Sequence, residues 1–170
     1  MKVYYFAYGS NLLFARLHAR TPSIMNMGIG YLPSHRLSFD KPGRDGSGKC
    51  GIEAVEGAEF IFGVLYEMDR AEKPLLDEIE GSGHDYVDKP VVVNSGDGPV
   101  NAFTYYPTRL DQSLKPYDWY KAFVLEGAIE NGFPEHYIEY IRSVECMVDP
   151  DESRRKENFA ILKSVTLKSK

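Results

Sequence analysis

The run Phe60-Ile61-Phe62-Gly63-Val64-Leu65-Tyr66-Glu67-Met68 constrains the fold most. It is nearly all apolar, and it is too short to cross a bilayer. It lacks the polar alternation of a half-exposed strand, so it reads as a strand buried on both faces. Other elements must then cover it from two sides. Weaker strand patterns surround it: Val3–Ala7, Met27–Leu32, Arg36–Phe39 beyond Pro33, and Gly51–Val55. Tyr86–Val93 and Val100–Tyr106 form a further pair, joined by the turn signal Asn94-Ser95-Gly96-Asp97-Gly98. The glycine-rich stretch Lys41–Lys49 predicts a flexible loop.

Helix patterns fall mostly in the last third. Pro116–Glu130 is closed by Asn131-Gly132, and Pro134–Val144 follows. Pro150-Asp151-Glu152 opens another helix, and Phe159–Leu167 is apolar enough to dock. Earlier, Asn11–Arg20 predicts a helix capped by Ser10 or Asn11 and stopped by Thr21-Pro22. A short helix from Asp69 to about Glu80 ends at Gly81, and Pro74 either kinks it or delays its start. Strands first and helices last argue for α+β rather than a repeating βαβ sheet. The expected architecture is a small, mixed, mostly antiparallel closed β-barrel of about six or seven strands, flanked by helices. A length of 170 residues suits one domain. We place it at residues 1–149, with 150–170 as an extension packed on it or partly mobile.

The net charge of -5 does not suggest a nucleic-acid partner. No run of 18 apolar residues spans a membrane, and the first ten residues make no signal peptide. Cys50 and Cys146 form neither a framework nor a CxxC motif, so a cytoplasmic location is expected. His18, His35, His84 and His136 lack metal-ligand spacing, and Ser10 lies in no GxSxG elbow. No metal or cofactor is expected.

Two features carry chemistry. In Tyr8-Gly9-Ser10-Asn11 a strand meets a helix start, which leaves about four N–H groups without intrahelical partners. A glycine there lets a ligand approach the backbone, so the turn suits a carboxylate, a phosphate or a developing oxyanion. The ordinary alternative is a capped connector. In Leu75-Leu76-Asp77-Glu78-Ile79-Glu80, a turn of 100° per residue puts Leu75, Leu76 and Ile79 on one face. Glu80 falls about 40° from Leu76, and Glu78 points away. Burial and a helix C-terminus both disfavour a charged Glu80, which suits a general base. The ordinary alternative is a solvated acidic helix end. Tyr117, Trp119 and Tyr120 open a helix, as core aromatics or pocket walls.

Tyr5-Phe6-Ala7-Tyr8-Gly9-Ser10-Asn11-Leu12 resembles the glycine loop of the γ-glutamylcyclotransferase family. Phe62–Met68 followed by Leu76–Gly81 resembles that family's segment carrying the catalytic glutamate, and Tyr120 with Gly127–Pro134 resembles its C-terminal helices. The resemblance implies a closed barrel and a pocket between loop and glutamate. Glu80 would be catalytic, while Tyr5, Phe6, Ala7, Tyr8, Gly9, Ser10, Asn11 and Tyr120 would bind substrate. The implied reaction is attack of a γ-glutamyl α-amine on its own γ-carbonyl, giving 5-oxoproline and a free amino acid or amine. The substrate supplies the nucleophile, so no cofactor is implied. Alternatives are the same chemistry on glutathione, a γ-glutamyl-ε-lysine or a biosynthetic γ-glutamyl intermediate, or a non-catalytic small-anion-binding module. A homodimer is compatible with the sequence.

Overall fold

The computed structural model describes residues 1–57 and 59–166. Leu167 and the rest of the extension to residue 170 lie outside the described residues. The strands are β1 (Lys2–Ala7), β2 (Met25–Pro33), β3 (His35–Pro42), β4 (Gly48–Ala54), β5 (Phe60–Asp69), β6 (Tyr86–Ser95) and β7 (Gly98–Pro107). The helices are α1 (Phe14–His18), α2 (Lys73–Glu80), α3 (Asp118–Glu130), α4 (Glu135–Ser143) and α5 (Glu152–Thr166).

Five strands close a barrel in the order β1-β5-β2-β6-β7. The closing contact, Tyr5 on β1 beside Phe103 on β7, is parallel, and the other barrel pairings are antiparallel. β5 is flanked on both sides, by β1 and by β2, and Ile61, Val64, Leu65, Tyr66 and Met68 are buried. That is the environment its apolar run demands. Where β5 meets β2, Gly63 faces Gly30. A Cβ on Gly63 would sit 2.4 Å from the Ala7 carbonyl oxygen, and one on Gly30 would sit 2.5 Å from Val93. Only hydrogen fits at this tight point of the barrel.

The remaining strands, β3 and β4, pair with each other as a separate hairpin. The sequence expectation of six or seven barrel strands is therefore high. Ser34, at φ 57°, turns the chain out of β2, and the Val55 N–H donates back to its carbonyl at 2.9 Å. The hairpin is thus an excursion between two barrel strands. The flexible loop expected over Lys41–Lys49 is a tight connection instead, with β-pairing up to Pro42 and Gly48 and a Gly43 N–H to Ser47 O bond of 2.8 Å.

Two helix expectations also change. The helix expected over Asn11–Arg20 is a 3₁₀ turn, Ser10–Leu12, followed by an extended Leu13 and the short α1. No side chain caps either piece. α2 starts late: a 3₁₀ turn covers Arg70–Glu72, and Pro74 sits in the first turn, where its missing N–H costs nothing. Gly81 ends α2 in the left-handed conformation, φ 64°. Of the three apolar residues expected on one face, Leu76 alone is buried, while Leu75 and Ile79 are exposed. An eight-residue helix presents only a narrow stripe to the barrel, and Leu76 and Glu80 occupy it one turn apart.

α5 packs Phe159, Leu162 and Val165 against the core. Among the described residues no helix is long and apolar enough to cross a membrane.

Candidate active site

One end of the barrel holds a small cavity lined by the Tyr8–Asn11 turn, Glu80 and a ring of aromatics. β1 delivers Tyr5 and the turn, and α2 delivers Glu80. β4 contributes Cys50, β6 contributes Tyr86, β7 contributes Tyr105 and α3 contributes Tyr120. Of the residues expected to bind substrate, Tyr5, Tyr8, Gly9, Ser10, Asn11 and Tyr120 share this cavity with Glu80. Phe6 and Ala7 do not line it. Phe6 lies on the opposite face of β1, with its ring against Gly63, and Ala7 is fully buried opposite Val64.

Asn11 organises the site. Its Nδ2 donates to Glu80 Oε1 at 2.8 Å and to the Tyr5 hydroxyl at 3.1 Å, and its Oδ1 accepts from Arg20 at 3.4 Å. The carboxylate is therefore aimed by an amide from the glycine turn. Burial pushes the Glu80 carboxyl above its ordinary value of 4.5. The Asn11 hydrogen bond and the charges of Arg20, Arg16 and Lys41 oppose that rise without cancelling it.

The turn leaves backbone donors unused by the fold. Among the described residues the backbone N–H groups of Ser10 and Asn11 have no protein acceptor. The Leu12 carbonyl holds the turn from behind, accepting the Tyr66 hydroxyl at 3.0 Å and Asn131 Nδ2 at 2.9 Å. Gly9 has an ordinary φ of -113°, so its glycine is required for space rather than for a left-handed backbone. A Cβ there would meet Cys50 Cβ at 3.0 Å and the Tyr120 hydroxyl at 3.4 Å. Tyr120 accepts the Cys50 N–H at 3.0 Å, and its hydroxyl also interacts with the Cys50 thiol.

Burial raises the hydroxyls of Tyr5, Tyr8, Tyr86 and Tyr120 well above 10, so all four are protonated donors at neutral pH. Burial also pushes the Cys50 thiol up to about 12, so it is not a thiolate nucleophile. Sequence reasoning missed Cys50, Tyr86 and Tyr105. Tyr86 and Tyr105 stand on neighbouring strands with ring centroids 6.4 Å apart. Strand alternation gives their periodicity but not which face closes inward.

The chain is 34% identical over 151 residues to a γ-glutamylcyclotransferase of Bos taurus, covering 83% of this chain and 78% of that protein. It belongs to the γ-glutamylcyclotransferase family. The mouse γ-glutamylcyclotransferase is 32% identical over 158 residues, covering 89% of this chain and 81% of that one. A solved structure described as a γ-glutamyl cyclotransferase superposes with a TM-score of 0.84 at 28% identity, over 96% of this chain and 99% of that one. A profile of the AIG2-like family matches residues 60–141. That match spans Glu80, Tyr86, Tyr105 and Tyr120, while the glycine turn of this γ-glutamylcyclotransferase relative lies outside it.

Proposed function

We propose that this cavity cyclises a γ-glutamyl group by intramolecular aminolysis, with Glu80 as the proton carrier. The γ-glutamyl head sits between the turn and Glu80. Its α-ammonium gives a proton to the Glu80 carboxylate, and the freed amine attacks the γ-carbonyl carbon. The new C–N bond closes a five-membered ring, and the carbonyl electrons move onto oxygen. The N–H groups of Ser10 and Asn11 and the Tyr120 hydroxyl are donors for that oxyanion and for the α-carboxylate. When the oxyanion collapses, the bond to the leaving nitrogen breaks. Glu80 returns its proton to that nitrogen, and the ring nitrogen gives its second proton to the departing amine, so 5-oxoproline and an ammonium or amino acid leave with the Glu80 carboxylate regenerated. Holding a flexible chain in a ring-like pose supplies a further share of the acceleration.

The observation that carries this reading is the Asn11–Glu80 hydrogen bond of 2.8 Å inside a cavity walled by unpaired backbone donors. A buried carboxylate beside unpaired N–H donors supports a base facing an oxyanion cradle. Glu80→Gln tests it. Gln keeps the shape and can still accept from Asn11, but it cannot take the ammonium proton. Release of 5-oxoproline from γ-glutamyl-alanine should fall by about 10²–10⁴-fold, with binding retained by calorimetry. Glu78, on the exposed side of α2, is the control, and Glu78→Gln should keep wild-type turnover. More than about a tenth of wild-type rate in Glu80→Gln, above what losing a general base allows, would remove Glu80 from the mechanism.

A further inference from the structure

Ser10, Glu80, Tyr86 and Tyr120 also line a second, wider and more open recess. A substrate running from one space to the other passes the Glu80 carboxyl, where the bond to the leaving nitrogen must lie. The inner cavity suits the γ-glutamyl head, so the outer recess receives whatever leaves.

That recess is cationic in a chain whose net charge is -5. Arg16, Arg20, Lys41, Arg44 and Lys49 line it, against Asp45, Asp85 and Glu80. Three of the five cations are already matched. Lys41 and Arg44 each meet Asp85 at 3.0 Å, and Lys49 meets Asp45 at 2.7 Å. Arg16 and Arg20 make no ion pair among the described residues, although both charges act on the Glu80 carboxyl. The Nε of Arg16 is shut off from solvent without a hydrogen-bond partner, and its guanidinium lies 4.5 Å over the Phe123 ring. Arg20 makes one long contact, to Asn11 Oδ1 at 3.4 Å. The buried Arg16 Nε lacks an acceptor, which costs free energy, and a ligand carboxylate would supply one.

We propose that this recess is the leaving-group subsite, and that Arg16 and Arg20 receive the two carboxylates of a dicarboxylic leaving amino acid. The inference rests on the cyclotransferase reading and narrows its substrate class. In amide linkage a glutamate or aspartate leaving residue carries two carboxylates, which match two unpaired guanidiniums. An alanine offers one carboxylate. A lysine attached through its ε-nitrogen brings an ammonium as well, which Arg16 and Arg20 repel. Planar guanidinium suits bidentate carboxylate recognition.

The test compares γ-glutamyl-glutamate with its near-isostere γ-glutamyl-glutamine, and with γ-glutamyl-ε-lysine. For the wild type, kcat/KM should favour the glutamate substrate over glutamine by about tenfold or more, with ε-lysine the poorest. The preference should shrink in 0.5 M NaCl, since the recess is open to solvent. Arg20→Gln should bring the glutamate-to-glutamine ratio to within about twofold of one, because one charged hydrogen bond then separates the substrates no longer. The ratio is internal, so damage common to both substrates cancels. Arg16→Met keeps an aliphatic chain over Phe123 and removes the guanidinium facing the α-carboxylate that both substrates carry, so kcat/KM should fall for both while their ratio stays near the wild-type value. Equal kcat/KM for the two substrates in the wild type overturns the proposal, as does an unchanged ratio in folded Arg20→Gln. If no substrate yields 5-oxoproline, the cyclotransferase reading fails by itself. Calorimetric binding of the same pair then judges the subsite, and equal affinities overturn it.

Discussion

A charged Glu80 costs folding free energy, and the same cost suits it to the proposed role of base. Because burial raises its folded value above 4.5, the folded state holds this proton more tightly than the unfolded chain does. Its contribution to stability is therefore best at low pH and is lost as pH rises through the raised value. Gln carries no such dependence. At neutral pH Glu80→Gln should melt at or above the wild-type temperature, and the gap should close as pH falls toward 4.5. Differential scanning calorimetry across that range checks it; a variant that melts lower at pH 7 and higher in acid would reverse the sign. Tyr120 carries a different balance. Its hydroxyl takes the Cys50 N–H at 3.0 Å and also faces the cavity. Tyr120→Phe strands that buried N–H, so it should cost about 1–3 kcal/mol of stability as well as weakening substrate binding. A melting curve beside the kinetics reads both; an unchanged melting temperature would mean that water replaces the hydroxyl. Glu80 and Tyr8–Asn11 were legible in the sequence because their chemistry is local: a glycine turn, and a carboxylate one helical turn from Leu76. Cys50, Tyr86 and Tyr105 were not, because they reach the site only through strand register and barrel closure.

The element that sets the cradle is α3 rather than the helix expected after Asn11. That expectation rested on the apolar run Leu12–Leu17 and on Ser10 and Asn11 as caps. The chain instead spends Asn11 on Glu80 and Tyr5, so its side chain is not free to cap. Leu12 and Leu13 turn into the core, and α1 begins at Phe14. Tertiary packing overrides local propensity there, and no window of sequence shows the partner. The partner is Gly127. A Cβ on it would lie 2.5 Å from Leu12 Cβ and 2.7 Å from the Leu13 nitrogen, so α3 touches the turn backbone to backbone. Asn131, one turn later, donates to the Leu12 carbonyl. Gly127→Ala raises helix propensity but forces the two elements apart. We expect a net loss of about 1–3 kcal/mol, the usual cost of overpacking, and a fall in kcat/KM on every γ-glutamyl substrate as the Ser10 and Asn11 donors shift. Denaturant melts and kinetics with two leaving groups check it. A variant more stable than wild type with full activity would show that the turn tolerates the displacement.

At the scale of the molecule, the barrel supplies the inner cavity and the helical third holds one wall of it in place. The barrel class and the late helices were legible from the order of patterns along the chain. The strand count was not, because a hairpin that leaves the barrel has the same alternation as one that stays. The state of the tail was not legible either, since its few apolar residues say nothing about where they dock. In the fold, α5 is tied to α3 at two points. Asp149, just before α5, takes Arg154 through both oxygens at 2.6 and 2.7 Å and accepts Trp119 Nε1–H at 2.7 Å. Arg155 reaches Asp118 at 2.7 Å. Trp119 precedes Tyr120 on α3, so this clamp braces the helix that forms a wall of the cavity. Arg154 holds the Asp149 carboxyl well below its ordinary value of 3.8. A depressed carboxylate gives stability that is fully present above its ordinary range and is lost as pH falls through that range toward the depressed value. Asp149→Asn keeps the acceptor for Trp119 and loses the charge for Arg154. The variant should therefore melt a few degrees below wild type at pH 7, about 2–4 °C for each kcal/mol lost in a chain of this size. The difference should begin to narrow below about pH 4, where the unfolded aspartate starts to take up its proton and the wild-type advantage starts to shrink. Turnover at 25 °C should remain near wild type, because Asp149 does not line the cavity. Paired melts from pH 3 to 8, with a rate assay at neutral pH, check all three statements. A gap that stays constant with pH would mean that packing rather than the ion pair holds α5 in place, and a loss of turnover without a change in melting would mean that α5 acts on the cavity directly.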